Sequence, residues 1–226
     1  MSDTQSAQRA RGYETPRCDV QALVPLSCER ILELGCSNGS LGAAIKARQR
    51  ALVVGVEIDR RFAEVAAERL DRVIVSDVEA FASDSAPPEA PFDCLIAADV
   101  LEHLVDPWGA LARCVTFLSP GADVVISLPN IVYIRAIFRL LRARSWPRDP
   151  EGTFDETHLR WFTRSDALEM LRGAGLQPIR IHPNFFTEGW KLQVAKTLTR
   201  TPLREYVAAQ YVISARLPVD HGRPPA

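Results

Sequence analysis

Short apolar runs alternate with amphipathic ones along most of this chain. Arg30-Ile31-Leu32-Glu33-Leu34, Ala51 to Val56, Val73-Ile74-Val75, Phe92 to Ala97 and Ala122 to Leu128 predict five buried strands. Ser40 to Arg48, Arg61 to Leu70 and Pro107 to Leu118 predict the helices between them; Phe62, Val65, Ala66 and Leu70 fall near helical spacing, and Ser119-Pro120-Gly121 stops the last. A shorter helix, Cys18 to Val24, precedes Pro25, and Ser83 to Pro91 is a Pro- and Ala-rich loop. Such alternation implies a parallel sheet covered by helices on both faces.

Toward the C-terminus the rhythm breaks. Ser165 to Ala174 predicts a helix with Asp166 and Glu169 early and Gly175 at its close. Leu176 to Ile181 and Val207 to Leu217 read as two more strands, separated by a loop and a short helix around Trp190 to Leu198. That connection is too short for a comfortable right-handed helical crossover, so the last strand is expected to run antiparallel. With no internal repeat and no linker, the expected organisation is one domain over 13–217 with a lid insertion at 131–164, flanked by a disordered tail at 1–12 and another at 218–226.

Composition narrows the class. The 226 residues are 47% hydrophobic and 24% charged, the balance of a globular domain, and a net charge of -1 gives no reason to expect nucleic acid. Five cysteines without a C-x-x-C pair fit reduced thiols and a cytoplasmic protein. The polar first dozen residues lack the apolar core of a signal peptide, and no uncharged apolar run approaches the ~20 residues of a membrane span.

The loop after the first strand carries the chemistry. Gly35-x-Ser37-x-x-Ser40 fails the G-x-G-x-x-G pattern of dinucleotide folds, which counts against a nicotinamide oxidoreductase. Glu33-Leu34-Gly35-Cys36-Ser37-Asn38-Gly39 instead resembles motif I of class I S-adenosylmethionine-dependent methyltransferases, [DE]-x-G-x-G-x-G. The resemblance continues in order through Gly55-Val56-Glu57-Ile58-Asp59, Ser76-Asp77, Phe92-Asp93, Asp99-Val100-Leu101-Glu102-His103-Leu104 and Ser127-Leu128-Pro129-Asn130, and covers about Arg30 to Gly175. It implies an α/β, Rossmann-like fold with a mostly parallel seven-stranded sheet whose last strand is antiparallel. It also implies S-adenosyl-L-methionine as cofactor, held by Glu33, Gly35, Cys36, Gly39, Glu57, Ile58, Asp77, Val78 and Ala98.

Physical chemistry supports several of these. A carboxylate at the end of the second strand, Glu57, can accept both ribose hydroxyls, and Asp77 at the end of the third can accept from the adenine amine. Glu33 has a loop-capping alternative, Cys36 reads as a packing residue rather than a nucleophile, and Asp59 reads as a helix N-cap. Ser37 stands where the family has its middle glycine, and is tolerated if its φ is negative.

For the acceptor half, Ile131, Ile134, Phe138 and Leu141 lie at helical spacing, and Arg135, Arg139, Arg142, Arg144 and Arg148 precede the first acid, Asp149. This is either a solvated face or a lid that meets an anionic substrate, with a peripheral membrane contact the weaker reading. Asp155-Glu156-Thr157-His158-Leu159-Arg160-Trp161-Phe162-Thr163 resembles the D-x-x-H-x-R-x-[FW]-T segment of methyltransferases that modify glycan and natural-product hydroxyls. The resemblance thus implies a small-molecule or sugar acceptor, with His158 and His103 as catalytic candidates. Asp99-x-x-Glu102-His103 is also similar to the E-x-x-E-H of ubiquinone-pathway and small-RNA O-methyltransferases, which implies a divalent cation such as Mg²⁺ on Asp99, Glu102, His103 and His158. The alternatives are that Glu102 and His103 only orient their loop, with His158 alone as the base, or that the chain is a non-catalytic methyltransferase-like subunit.

Overall fold

The computed structural model describes residues 15–185, 193, 196–199, 201 and 203–219. The expected tails, apart from Pro218 and Val219, and most of the expected helix around Trp190 to Leu198 lie outside the described residues.

Strands and helices alternate as the apolar pattern predicts, with two differences: the helix over Val78–Ser83 is not among the expected ones, and Ser119-Pro120-Gly121, read as a helix stop, lies inside the strand Leu118–Pro129. They are α1 (Cys18–Gln21), β1 (Arg30–Leu34), α2 (Ser40–Arg48), β2 (Leu52–Glu57), α3 (Arg60–Ala67), β3 (Arg72–Val75), α4 (Val78–Ser83), β4 (Phe92–Ala98), α5 (Pro107–Val115), β5 (Leu118–Pro129), α6 (Ile134–Ala143), α7 (Arg164–Gly173), β6 (Gln177–Asn184), α8 (Arg204–Val207) and β7 (Gln210–Arg216). A short 3₁₀ turn, Leu101–His103, follows β4. The strands form one sheet in the order β3-β2-β1-β4-β5-β7-β6. All neighbours are parallel except β7, which runs antiparallel to both β5 and β6. Reversal brings the start of β7, at Gln210, beside the carboxyl end of β5 at Pro129.

Alternation along the strands divides the core in two. Leu32, Leu34, Val54, Val56, Leu95, Val124 and Ile126 face α4, α5 and α7. Ile31, Val53, Cys94, Ile96 and Val125 face the other way, onto α1, α2 and α3. Three of the helices begin with acidic caps: Asp59 accepts from Arg61 N–H, Asp77 from Glu79 and Ala80, and Asp106 from Gly109. The N-cap reading of Asp59 is what the structure shows. Thr163 and Asp166 form a reciprocal capping box on α7.

The insertion is packed unusually. Among the residues of α6 only Ala136 is buried, and Ile134, Phe138 and Leu141 are 50%, 69% and 72% exposed. The apolar stripe of the expected amphipathic helix therefore faces away from the domain. The return segment is anchored instead by aromatic edges, Trp146 on Phe154 at 5.5 Å and on Trp161 at 4.5 Å between centroids, and by an Arg139–Asp149 ion pair. Bonds from Asp149 N–H to Phe154 O (2.8 Å) and from Glu156 N–H to Asp149 O (2.9 Å) close the loop between them.

Candidate active site

A cavity of about 280 Å³ opens where the carboxyl ends of β1, β4 and β5 meet the start of β7, the edge at which open parallel sheets bind ligands. Its wall takes Glu33 from β1, Gly35, Cys36 and Ser37 from the loop after it, Ala98 and Asp99 from the end of β4, and Gly152, Thr153, Asp155 and His158 from the lid's return segment.

The loop after β1 is a sequence of left-handed corners. Gly35 has φ +65°, and a Cβ there would meet Val100 Cγ2 at 2.8 Å. Gly39 has φ +77° and lies against Ala66. Ser37 has φ +48°, so the negative φ expected from its being a serine is overturned. A side chain at that φ costs on the order of 1 kcal/mol, which is why the motif it resembles carries glycine. The strained corner is held by Ser37 N–H donating to Glu57 Oε2 at 2.8 Å. Ser37 Oγ is buried and has no hydrogen-bond partner among the described residues.

Glu57 ends β2 and accepts a second backbone N–H, from Asp59, at 2.9 Å through Oε1. Its carboxylate thus fixes both the motif loop and the turn that leads into α3. Glu33, 3% exposed, lies against Gly42 in the first turn of α2. Gly42 permits this because a Cβ would meet Glu33 Oε2 at 2.7 Å. Burial, reinforced by the nearby Glu57, lifts the Glu33 carboxyl to about 8, and its Oε2 has no partner among the described residues. Burial likewise pushes the Cys36 thiol far up, so it packs as a small apolar group.

The remaining candidates lie along the sheet edge beside the cavity. Asp77 spends Oδ1 on capping α4, Val78 is buried, and Ile58 is 67% exposed beyond the end of β2. Glu57, Ile58, Asp77, Val78 and Gly39 are outside the cavity wall, whereas Glu33, Gly35, Cys36 and Ala98 are in it.

Arg17 is a site residue that the sequence alone did not reveal. It precedes α1, far from every motif, and nothing in its neighbours marks it. In the fold its guanidinium enters the cavity wall, pairs with Asp99 and Asp19, and donates to Ser127 Oγ at 2.9 Å. Asp99 also accepts from Ser127 Oγ (2.6 Å) and Gln210 Nε2 (2.7 Å). Its backbone sits at φ +55°.

Glu102, His103 and His158 converge, with one ligand atom from each within 4.8 Å of the others. Asp99, the fourth expected ligand, is not in this group, because its carboxylate is turned to Arg17. Convergence arises from the lid: Leu159 and Arg160 N–H groups both donate to the Glu102 carbonyl, at 2.8 and 3.0 Å. That pins His158 beside the 3₁₀ turn, its ring 4.7 Å from that of His103. Glu102 is 1% exposed, and neither carboxyl oxygen has a hydrogen-bond partner among the described residues; His158 Nε2 is 4.0 Å from Oε1. Burial above all, with Asp99 nearby, raises the Glu102 carboxyl well above its ordinary range. Burial, and then His103, lowers His158, which keeps its imidazole neutral at pH 7. His158 Nδ1 lies 3.4 Å from Thr153 O, and a carbonyl can only accept, so the proton is on Nδ1 and the lone pair on Nε2.

A sheet of this order, reversed at its last strand and with its cavity beside a glycine-cornered first loop, defines the class I S-adenosylmethionine-dependent methyltransferases. A family model described as a methyltransferase domain matches residues 8–181, and the chain belongs to that family. The chain is 25% identical over 211 residues to a ubiquinone biosynthesis O-methyltransferase of Ralstonia nicotianae, covering 88% of this chain and 81% of that one. It is 31% identical over 176 residues to the Vibrio cholerae protein of the same name, covering 73% and 69%. Among solved structures, a SAM-dependent methyltransferase from Archaeoglobus fulgidus superimposes with a TM-score of 0.61 at 17% identity, covering 94% of this chain and 92% of that one. Magnesium protoporphyrin IX methyltransferase from Synechocystis, with bound SAH, gives 0.61 at 16%, covering 96% and 88%. This chain is therefore an S-adenosylmethionine-dependent methyltransferase. None of its described helices is long and apolar enough to cross a membrane.

Proposed function

We propose that this methyltransferase acts on a hydroxyl of a small molecule, sugars included. The observation that carries the proposal is the buried Glu102 carboxyl, without a hydrogen-bond partner among the described residues, beside His103 and His158 at the wall of the cavity. The printed names of the Ralstonia and Vibrio relatives, both O-methyltransferases, agree with it.

The cavity fits the cofactor. Glu33 Oε2 and Ser37 Oγ are buried polar atoms in need of partners, and Gly35 keeps the backbone open to close approach. Glu57 and Asp77 would hold the ribose and adenine, and Arg17 the carboxylate at the other end. When bound, S-adenosylmethionine supplies an electrophilic methyl group. The protein's own task is to orient the acceptor oxygen and remove its proton. His158, neutral and with its lone pair on Nε2, takes that proton when no cation is held there; with one bound, the same lone pair is a ligand and the ion lowers the hydroxyl's pKa instead.

Glu102, His103 and His158 also fit a divalent cation: one hard carboxylate and two imidazoles suit Mg²⁺, Mn²⁺ or Zn²⁺, and a buried carboxyl without a partner calls for a positive neighbour. Such an ion would lower the pKa of a hydroxyl it held. Arg135 and Arg142, exposed on α6, would meet any anionic part of the acceptor.

A panel of phenols, catechols and sugars, assayed for methyl transfer with and without chelator, tests both parts. Transfer to oxygen, lost in excess EDTA and restored by Mg²⁺ or Mn²⁺, is the expected result. Full activity in EDTA with no ion recovered removes the cation, and transfer only to nitrogen or carbon acceptors removes the hydroxyl reading.

A further inference from the structure

The segment Asp155-Glu156-Thr157-His158 supplies more than His158. His103 Nδ1 lies 3.0 Å from Thr157 Oγ1 and 3.3 Å from the Thr157 carbonyl oxygen. A carbonyl oxygen has no proton to give, so both contacts are satisfied only if Nδ1 carries the hydrogen. Thr157 Oγ1 lies in turn 2.7 Å from Asp155 Oδ1, which also accepts Thr157 N–H at 2.8 Å. A hydroxyl has one proton, and the carboxylate claims it, which leaves Oγ1 as an acceptor toward His103. The donors therefore run in one direction, from His103 Nδ1–H to Thr157 Oγ1–H to Asp155.

We propose that Thr157, backed by Asp155, is a positioning residue that fixes His103 in its Nδ1–H tautomer and so leaves the ring's lone pair on Nε2. The inference rests on the reading that His103 works in the Glu102–His158 centre. Which nitrogen of an imidazole can accept a proton or hold a cation is set by the bond that the other nitrogen makes. His158 takes its tautomer from a backbone carbonyl, that of Thr153, which substitution cannot remove. His103 takes its own from a side chain as well, so this half of the arrangement can be altered. One four-residue stretch thus delivers His158 and also dictates the protonation of His103, 54 residues earlier in the chain.

The chain has four histidines, so ring ¹⁵N spectra of the labelled, metal-free protein are tractable. At about pH 8.5, above the ordinary imidazole range, His103 is expected as Nδ1–H in the wild type. In Thr157→Val the population should move toward Nε2–H, and Thr157→Ser should restore the wild-type spectrum. Mn²⁺ affinity should fall about tenfold in Thr157→Val and return in Thr157→Ser. Should Thr157→Val not fold, Asp155→Asn gives the same test, because an amide there can donate to Oγ1 and turn the hydroxyl proton onto Nδ1. A wild-type His103 in the Nε2–H form, or a spectrum unmoved in the variant that folds, overturns the inference. An unchanged rate in His103→Ala would instead overturn the reading of the centre, and it leaves the spectra untouched.

Discussion

His158→Ala is expected to lower kcat by about 10²- to 10⁴-fold while leaving S-adenosylhomocysteine affinity unchanged. General-base catalysis contributes on that scale, and His158 meets its requirements. It lines the cavity, and burial together with His103 depresses its affinity for a proton. The backbone holds it from two sides, through the bonds of Leu159 and Arg160 to the Glu102 carbonyl and through its own Nδ1 to Thr153 O. Because the folded-state value lies below the unfolded one, kcat should be sustained through neutral pH and fall only under more acidic conditions. Single-turnover measurements on an acceptor from the hydroxyl panel, with wild type and variant side by side, would show it. A variant that turns over at the wild-type rate removes His158 from the chemistry.

Glu33→Gln should make the protein more stable above neutral pH, by on the order of 4 kcal/mol at pH values beyond about 8. The carboxyl is buried and its folded-state value is raised to about 8, from 4.5 for the unfolded chain. Below about pH 4.5 both states hold the proton and the residue has no pH-dependent effect. As pH rises from there to about 8, only the unfolded state gives the proton up, so wild-type stability is lost across that window and levels off above it. Glutamine has nearly the same shape and cannot ionise. Denaturant unfolding of both proteins across pH 4–9 should therefore give curves that coincide in acid and diverge steadily toward base. Parallel curves would mean that Glu33 is ionised in the fold. Cofactor affinity measured on the same variant tests the motif role of Glu33.

How much of this was legible in the residues depends on the range of the interaction. Alternating apolar runs gave the strands and helices, because burial on a parallel sheet imposes its period locally. The reversed last strand was legible from the length of one connection. Asp59 as a cap followed from its position before Arg60. Contacts made across the chain were not legible. Arg17 reaches Asp99 over a separation of 82 residues, and no spacing rule connects them. The direction of Asp99 was missed for the same reason: its neighbours in sequence suggested Glu102 and His103, whereas its partners in space are Arg17, Ser127 and Gln210. The φ of Ser37 was misjudged because a side chain was taken as evidence of an ordinary backbone, when the loop imposes a left-handed corner and the serine bears the cost. The outward stripe of α6 could not be read either, since helical spacing says which residues share a face and not what that face meets.

S-adenosylmethionine is expected to lie across the cavity beside the first strand and the neighbouring sheet edge, where Glu57 is a principal contact. Calorimetric titration of the full chain and of Glu57→Ala, with S-adenosylhomocysteine and with NAD, tests it most directly. The wild type should show one S-adenosylhomocysteine site and no heat with NAD. In the variant the affinity should be ~10- to 150-fold weaker, the equivalent of losing a charge-assisted bond of about 1.5–3 kcal/mol. Binding of NAD, or an S-adenosylhomocysteine affinity that Glu57→Ala leaves unchanged, would contradict it.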